Sequence, residues 1–201
     1  KDLGFLSWEE RTALTQQGKD FYSWAREINY PLSDLISLAE KASDGKMEDL
    51  PIFLDNLKSD KSSFRFWGIS GLAHLAQRGK LKAIPKEIRP LLDPNEDEDV
   101  SALAAEILVR MGEEERGLRF LLSKFKPMGF AISSLENLWY KTTPIENELI
   151  SLATESQDEK TRLFARSLLI KQGKMGVGEL YGQKQIDKNY KTYLNRVDNY
   201  L

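Results

Sequence analysis

The sequence predicts an all-α protein in which about four helical hairpins stack into a right-handed α-α superhelix. One helical template recurs from Arg65, Ser101, Met128 and Arg162, at intervals of 36, 27 and 34 residues. Such intervals are typical of stacked hairpins, because each unit leaves an apolar face that its neighbours cover. No segment alternates apolar and polar residues as a half-buried strand does. The template places a small residue and then a leucine at Gly68 and Leu72, Ala104 and Leu108, Ala131 and Leu135, and Ala165 and Leu169.

Residues 1–30 show no clear helical period, and we interpret them as a lead-in segment from an upstream domain. Within them, Ser7-Trp-Glu-Glu10 resembles a capping box, which predicts a short helix. The repeats are expected to occupy residues 31–173. Pro31 suits the start of their first helix, and Gly45 suits its end.

Polar and glycine residues set the predicted borders of the later helices. Ser59 and Asp60 are expected to cap the helix that carries Arg65, and Gly79 to end it. Gly112 and Gly173 are the next predicted ends, for the same reason. The predicted helices are 32–44, 50–57 and 65–76, followed by the pairs 84–92 with 100–111, 115–125 with 129–140, and 145–154 with 159–171.

Residues 174–201 differ from the repeats because glycines interrupt their first part. From Ile186 to Leu201, apolar residues return at helical spacing, among them Tyr190, Leu194 and Val197. We expect this tail to cap the open end of the superhelix or to dock on an upstream domain, because burial of its aromatic side chains lowers the free energy.

Composition narrows the classes of function. Of the 201 residues, 41% are hydrophobic and 30% are charged, which is typical of a globular chain. The net charge of −2 provides no basic field for nucleic acid, and no apolar run is long enough to span a membrane. The absence of cysteine excludes disulfides, zinc thiolates and a cysteine nucleophile. The start at Lys1 without a methionine leads us to expect a piece of a longer protein, with targeting information upstream.

Arg65 and Arg162 begin their helices shortly after Asp60 and Asp158. In stacked hairpins such arginines can span the turn between helices and bond to a carboxylate or carbonyl of the adjacent repeat. The alternative interpretation is an exposed ion pair worth about 0–1 kcal/mol. The sequence leaves both open.

This combination of arginine, small residue and leucine resembles a HEAT repeat, and further motifs resemble one family. Tyr30-Pro31-Leu32, Asp49-Leu50-Pro51-x-Phe53 and Arg65-Phe66-Trp67-Gly68 are similar to the helical region that follows the catalytic domain in bacterial sulfatases of the sulfamidase-like (heparan N-sulfatase-like) group. Val100 to Leu108 is similar to that family's Val-Arg-x-Ala-Ala-Ala-Glu-x-Leu, with Ser101 in place of the arginine.

The resemblance extends from Asp2-Leu-Gly4-Phe5 to about Gly173, and it implies an accessory domain that packs in cis on a sulfatase catalytic domain. The parent enzyme would be periplasmic or secreted, and it would use calcium and formylglycine. The family's Cys/Ser-x-Pro-x-Arg segment is missing from this sequence. We therefore assign no catalytic residue, metal ligand or cofactor to this chain.

Two other motifs invite a metal or acid–base interpretation. Asp93-Pro-Asn95-Glu-Asp97-Glu-Asp99 begins like an EF-hand loop but has Glu98 at the glycine position and Ala104 at the last ligand position. Capping of the helix that starts near Val100 is the favoured interpretation.

His74 is the single histidine, and we expect it to be a hydrogen-bonding link between helices.

Two aromatic groups form the candidate surface for contact with a partner. They are Phe66 with Trp67, which follow Phe64, and Trp139 with Tyr140. Neighbouring residues point in different directions around a helix. In each group we therefore expect at least one ring in the core and one exposed ring.

Three functions are consistent with these observations. The first is the non-catalytic accessory domain of a sulfatase, which also allows a homo-oligomer. The second is a free-standing HEAT-type scaffold whose second helices bind a protein partner. The third is a HEAT-like DNA glycosylase, which the net negative charge disfavours. Neither nucleic acid nor a membrane is an expected partner.

Overall fold

The structure, a computed structural model, is all-helical over the residues it describes, which confirms the all-α class. The stacking of hairpins into a right-handed superhelix stays a prediction. The described residues are 6, 8–18, 20–27, 30–125 and 129–176. They contain no strand. Their α-helices are α1 (Trp8–Gln17), α2 (Phe21–Glu27), α3 (Leu32–Asp44), α4 (Leu50–Asn56), α5 (Ser62–Gln77), α6 (Glu98–Arg110), α7 (Glu114–Ser123), α8 (Phe130–Asn137), α9 (Glu146–Glu155) and α10 (Glu159–Lys171).

Helix α6 lies at the centre of the packing and is buried on two faces. One face contributes Val100 and Leu108 to a cluster with α3, α4 and α5. The other contributes Ala105 and Val109 to a cluster with α7, α8, α9 and α10. Helices α5, α6 and α8 pack in succession, while α4 packs on α5, α7 on α6, and α9 on α10.

A smaller cluster joins the segment before α3 to α3 and α5. It consists of Leu6, Trp24, Ala25, Tyr30 and Leu35, and Trp67 of α5 packs against it. The Tyr30 hydroxyl lies 3.1 Å from both a Glu10 carboxylate oxygen and the Ser63 hydroxyl. These contacts hold α1 and α2 against α3 and α5. The domain division at residue 30 stays a prediction.

Three helices end in one way, as their glycines predict. Gly79, Gly112 and Gly173 have φ of 64°, 101° and 69°, the left-handed region that glycine tolerates best. The residue after each glycine donates its N–H to a carbonyl five positions back, which satisfies a carbonyl that the helix end leaves open. These bonds are Lys80 to Leu75 (2.9 Å), Glu113 to Leu108 (2.9 Å) and Lys174 to Leu169 (2.8 Å).

The predicted α-helix at 84–92 is wrong. This segment is a loop that ends in a short 3-10 helix, Arg89–Leu92. Pro85 and Pro90 explain the difference, because proline has no N–H to donate to a helix. The loop still fills the place of a first helix, since Ile88 and Leu91 are buried in the cluster beneath α6.

The helix predicted at 129–140 is shorter in the structure. Helix α8 ends at Asn137, and a 3-10 helix follows at Trp139–Lys141. The Thr142 hydroxyl donates to the Trp139 carbonyl at 2.7 Å, which supports this tighter turn. Ser7, Met128 and the tail from 177 to 201, on which several predictions depend, lie outside the described residues.

Candidate interaction surface

The recurring template residues are core residues wherever the structure describes them. Gly68 is the clearest case, because a Cβ atom at this position would lie 2.8 Å from the Phe53 carbonyl oxygen. The small residue therefore lets α5 approach the backbone of α4, as the sequence predicts. The other template residues are at most 1% exposed: Leu72, Ala104, Leu108, Ala131, Leu135, Ala165 and Leu169.

Arg65 links its own hairpin to the next unit. Its Nε and Nη2 donate to the Glu96 carboxylate at 3.0 and 2.6 Å, a bidentate pair. Its Nη1 donates to the carbonyls of Ser59 and Asp60 at 2.8 and 3.0 Å. The Arg65 side chain is 17% exposed and that of Glu96 is 11% exposed. For Arg65, the predicted bond to a carboxylate of the next helical unit is therefore confirmed. Arg162 differs, because its guanidinium group donates to a carbonyl of its own turn.

Of the two aspartates that precede the template arginines, only Asp158 caps a helix with its side chain. Asp158 caps α10, because its carboxylate accepts the Thr161 hydroxyl at 2.6 Å and the Thr161 N–H at 2.7 Å. These two bonds, the one from the hydroxyl first, lower the pKa of the Asp158 carboxyl.

The predicted cap by Asp60 is wrong. Lys61 stands at the N-cap of α5, and its side chain makes no capping bond. The Ser59 hydroxyl accepts the Lys61 N–H at 3.2 Å, so Ser59 and not Asp60 bonds at this helix start. Asp60 contributes its carbonyl to Arg65 instead.

His74 is a link between helices, as predicted. Its Nδ1 lies 2.7 Å from the Ala42 carbonyl oxygen, so this nitrogen carries the proton and donates it. Arg78 and Lys80 donate to the carbonyls of Asp44 and Gly45 at 2.7 and 2.9 Å. All three side chains cover carbonyls at the end of α3, where the helix dipole favours positive charge.

The first aromatic group lies half-buried between helices. Phe66 contacts Trp67 edge-on at 5.1 Å between ring centroids and Phe130 of α8 at 5.7 Å. Phe64, Phe66 and Trp67 are all intermediate in exposure, and all pack against the first cluster. The prediction of one core ring and one exposed ring is therefore wrong here. The rings project from α5 towards α3 and α8, and these neighbours cover each ring only in part.

Both residues of the second aromatic group are exposed. Trp139 and Tyr140 are 39% and 53% exposed, and their rings meet edge-on at 6.0 Å. The expectation that one of them is a core residue is also wrong, because the 3-10 turn carries both rings outward. Arg110 of α6 lies 3.4 Å from the Tyr140 hydroxyl and is held by Glu106 at 2.7 Å. The Tyr140 hydroxyl therefore lies next to a guanidinium group that is itself bonded to Glu106.

The structure does not bring the two aromatic groups together. Phe130 is the first residue of α8, and Trp139 follows its last residue by two. Phe130 and Trp139 are nine positions apart, which corresponds to about 13 Å along a helix. The candidate residues therefore form two surfaces, a half-buried one around Phe66 and Trp67 and an exposed pair at Trp139 and Tyr140.

Three further properties of the described residues bear on a candidate site. No three His, Asp or Glu side chains among them are placed to share a metal ion. Burial raises the pKa of Tyr30 to about 12, which keeps its hydroxyl protonated. No described helix is long and apolar enough to cross a membrane.

Sequence reasoning missed two residues of these surfaces. Phe130 was not singled out, and only the packing of α5 beside α8 shows its contact with Phe66. Arg110 was also missed, although Glu106 precedes it by four residues, a spacing that predicts an ion pair on a helix. That signal was available in the sequence.

Comparison with known proteins gives no family. No protein-family profile matches the chain, and no curated protein or solved structure matches it either.

Proposed function

We propose that this chain is a non-catalytic helical-repeat domain, a HEAT/armadillo-like superhelix that binds a protein surface. The observation that carries the proposal is the exposed Trp139–Tyr140 pair, whose tyrosine hydroxyl accepts a bond from Arg110 at 3.4 Å. Exposed aromatic rings on a rigid support are typical of the residues that dominate protein interfaces. The successive packing of α5, α6 and α8 supports the superhelix.

The partner we propose is a sulfatase catalytic domain in the same polypeptide. The support is the set of family-like motifs, whose residues have structural roles: Phe53 and Gly68 close the α4–α5 contact, and Arg65 ties α5 to Glu96. The calcium and formylglycine that the resemblance implies would belong to that catalytic domain. The parent protein would accordingly act in the periplasm or outside the cell.

The test is the coding region upstream of Lys1 and the protein that it encodes. We expect a reading frame with a Cys/Ser-x-Pro-x-Arg segment and hydrolysis of a generic aryl sulfate by the full-length protein. A different domain upstream, or none, would overturn the sulfatase assignment. It would leave the free-standing scaffold, the alternative function, in place.

The aromatic pair can be tested by substitution in the full-length protein. We expect Trp139→Ala with Tyr140→Ala to loosen the helical domain from its partner, measured as faster proteolytic release of the domain. Ile150→Ala is a matched control, since Ile150 is 42% exposed on α9. Equal release from both variants would show that the aromatic pair is not the contact.

Three arginines of α5 and α10 do not support a DNA-glycosylase function. Arg65 donates to the Glu96 carboxylate. Arg162 donates to the Ser156 carbonyl, and Arg166 donates to the Ala153 carbonyl. These guanidinium groups are therefore not available as a phosphate-binding row.

A further inference from the structure

The exposed Trp139–Tyr140 pair forms a corner of two aromatic rings. The ring planes meet at 81° with their centroids 6.0 Å apart, and both residues are exposed. Two nearly perpendicular rings can contact a compact ligand group from two sides, whereas two parallel rings would present one flat face. The group that fits this corner is therefore apolar and has some thickness, as a saturated ring has.

Both polar atoms that these rings carry are hydrogen-bond donors towards a ligand. The indole N–H of Trp139 can only donate, and no group among the described residues accepts it. The Tyr140 hydroxyl oxygen accepts from Arg110 Nη1 at 3.4 Å, and a guanidinium group cannot accept in return. The hydroxyl hydrogen therefore points away from Arg110. A ligand at the corner needs acceptors for these two donors.

The charged groups next to the corner are neutralised within the protein. Arg110 donates to Glu106 at 2.7 Å, and the two side chains are only 10% and 7% exposed. Lys141, the residue after Tyr140, pairs with Glu114. None of these groups offers an unpaired charge to a ligand, so a ligand without charge fits the corner best.

We propose that the Trp139–Tyr140 corner binds an extended, proline-rich segment of the protein partner. This inference rests on the proposed function, in which the pair contacts a protein, and it names the chemistry of the bound segment. Such a segment is uncharged, and it has many carbonyl acceptors and no N–H group at its prolines. Its pyrrolidine rings are compact and apolar. Its backbone is already ordered before binding, which lowers the entropic cost.

A fluorescein-labelled decaproline peptide, titrated with the full chain and followed by fluorescence anisotropy, tests the proposal. We expect it to bind at least about tenfold more tightly than a decapeptide of alternating glycine and serine, which has an N–H group at each peptide bond. The affinity should change by less than about twofold between about 50 and 500 mM salt, because no net charge is paired. Equal binding of the two peptides, or a decaproline affinity that falls steeply with salt, would overturn the proposal.

Substitutions separate the donors from the ring faces. Tyr140→Phe keeps the ring and removes the hydroxyl, and we expect it to weaken decaproline binding by about three- to tenfold. Trp139→Ala should weaken binding by at least about thirtyfold, because a ring face is lost together with its N–H. Ile150→Ala removes an exposed apolar side chain from α9 and should leave the affinity unchanged. Wild-type affinity in both ring variants, with circular dichroism confirming that each is folded, would contradict the proposal.

Proteolytic release from the full-length protein distinguishes this inference from the proposed function. Excess decaproline should speed the release of the helical domain, because it competes for the corner. If the double variant Trp139→Ala with Tyr140→Ala speeds release but decaproline has no effect, the pair contacts its partner through another chemistry and only this inference fails. If decaproline binds the full chain as expected but neither the double variant nor the peptide changes the release, the proline site stands and the proposed partner of the pair is wrong.

Discussion

The α4–α5 hairpin and the α9–α10 hairpin share one template but are held together differently. In both, the arginine donates to a carbonyl six residues earlier, Arg65 to Ser59 and Arg162 to Ser156. Arg65 also reaches Glu96, which precedes α6, and no such carboxylate bond is seen for Arg162 among the described residues. The shared role of the arginine is thus to close its own turn, and the link to a following unit is an addition.

The hairpins also differ at the position three residues after the arginine. Gly68 lies so close to α4 that no side chain fits, whereas Ala165 already carries a methyl group in a fully buried site. The first hairpin therefore gains its stability from close backbone contact and a charged link. The last gains it from side-chain packing and a capped helix start.

The largest expected effect is the loss of the charged link. Arg65→Ala should lower the free energy of unfolding by about 2–3 kcal/mol, because Glu96 is left mostly buried without its partner. Arg162→Ala should cost only about 1 kcal/mol, since one charged donor to a carbonyl is lost. Urea unfolding of both variants measures the difference.

A double-mutant cycle isolates the link to Glu96. With Arg65→Ala and Glu96→Ala, we expect a coupling free energy of about 1–2 kcal/mol. Arg162→Ala combined with Glu96→Ala is the control and should be additive. A coupling near zero for the first pair would mean that Arg65 acts only on the carbonyls of its own turn.

A smaller effect is expected at the position three residues after the arginine. Gly68→Ala should destabilise the protein by about 1–2 kcal/mol, although alanine favours helices, because the new methyl group meets the Phe53 carbonyl. Ala165→Gly should cost about 1 kcal/mol through helix propensity and lost packing. Thermal unfolding decides the sign: a stabilised Gly68→Ala variant would show that α5 can move away from α4 without loss.

Much of the helical core could be predicted from sequence, because its signals are local. Template leucines such as Leu72 and Leu169 recur at helical spacing, and Gly79, Gly112 and Gly173 mark helix ends where a left-handed residue is needed. These choices depend on a few neighbouring residues. The loop at 84–92 could also have been recognised from Pro85 and Pro90.

The candidate surfaces could be predicted only in part, because exposure depends on distant packing. Phe66 stays half-buried because Phe130 of α8 lies against it, and the two residues are far apart in sequence. Trp139 and Tyr140 are both exposed because a 3-10 turn replaces the predicted helix. Neither the approach of α8 to α5 nor the geometry of that turn can be read from spacing alone.

The smallest expected effect concerns the helix start, and pH separates the two hairpins there. Asp158→Asn should lower the melting temperature at neutral pH more than Asp60→Asn, because only Asp158 caps its helix with a side chain. The pKa of Asp158 is lowered from its ordinary 3.8 in the folded protein, so its carboxylate stabilises the fold above that pH. This contribution disappears as the pH falls through the lowered pKa. The gap between wild type and Asp158→Asn should therefore be constant near neutral pH and should close as the pH falls through the lowered pKa of Asp158. Asp60→Asn should differ little from wild type at neutral pH, because Asp60 makes no side-chain cap. A gap that persists in acid would mean that the asparagine amide disturbs the turn itself, and the difference between the two hairpins would then be steric and not electrostatic.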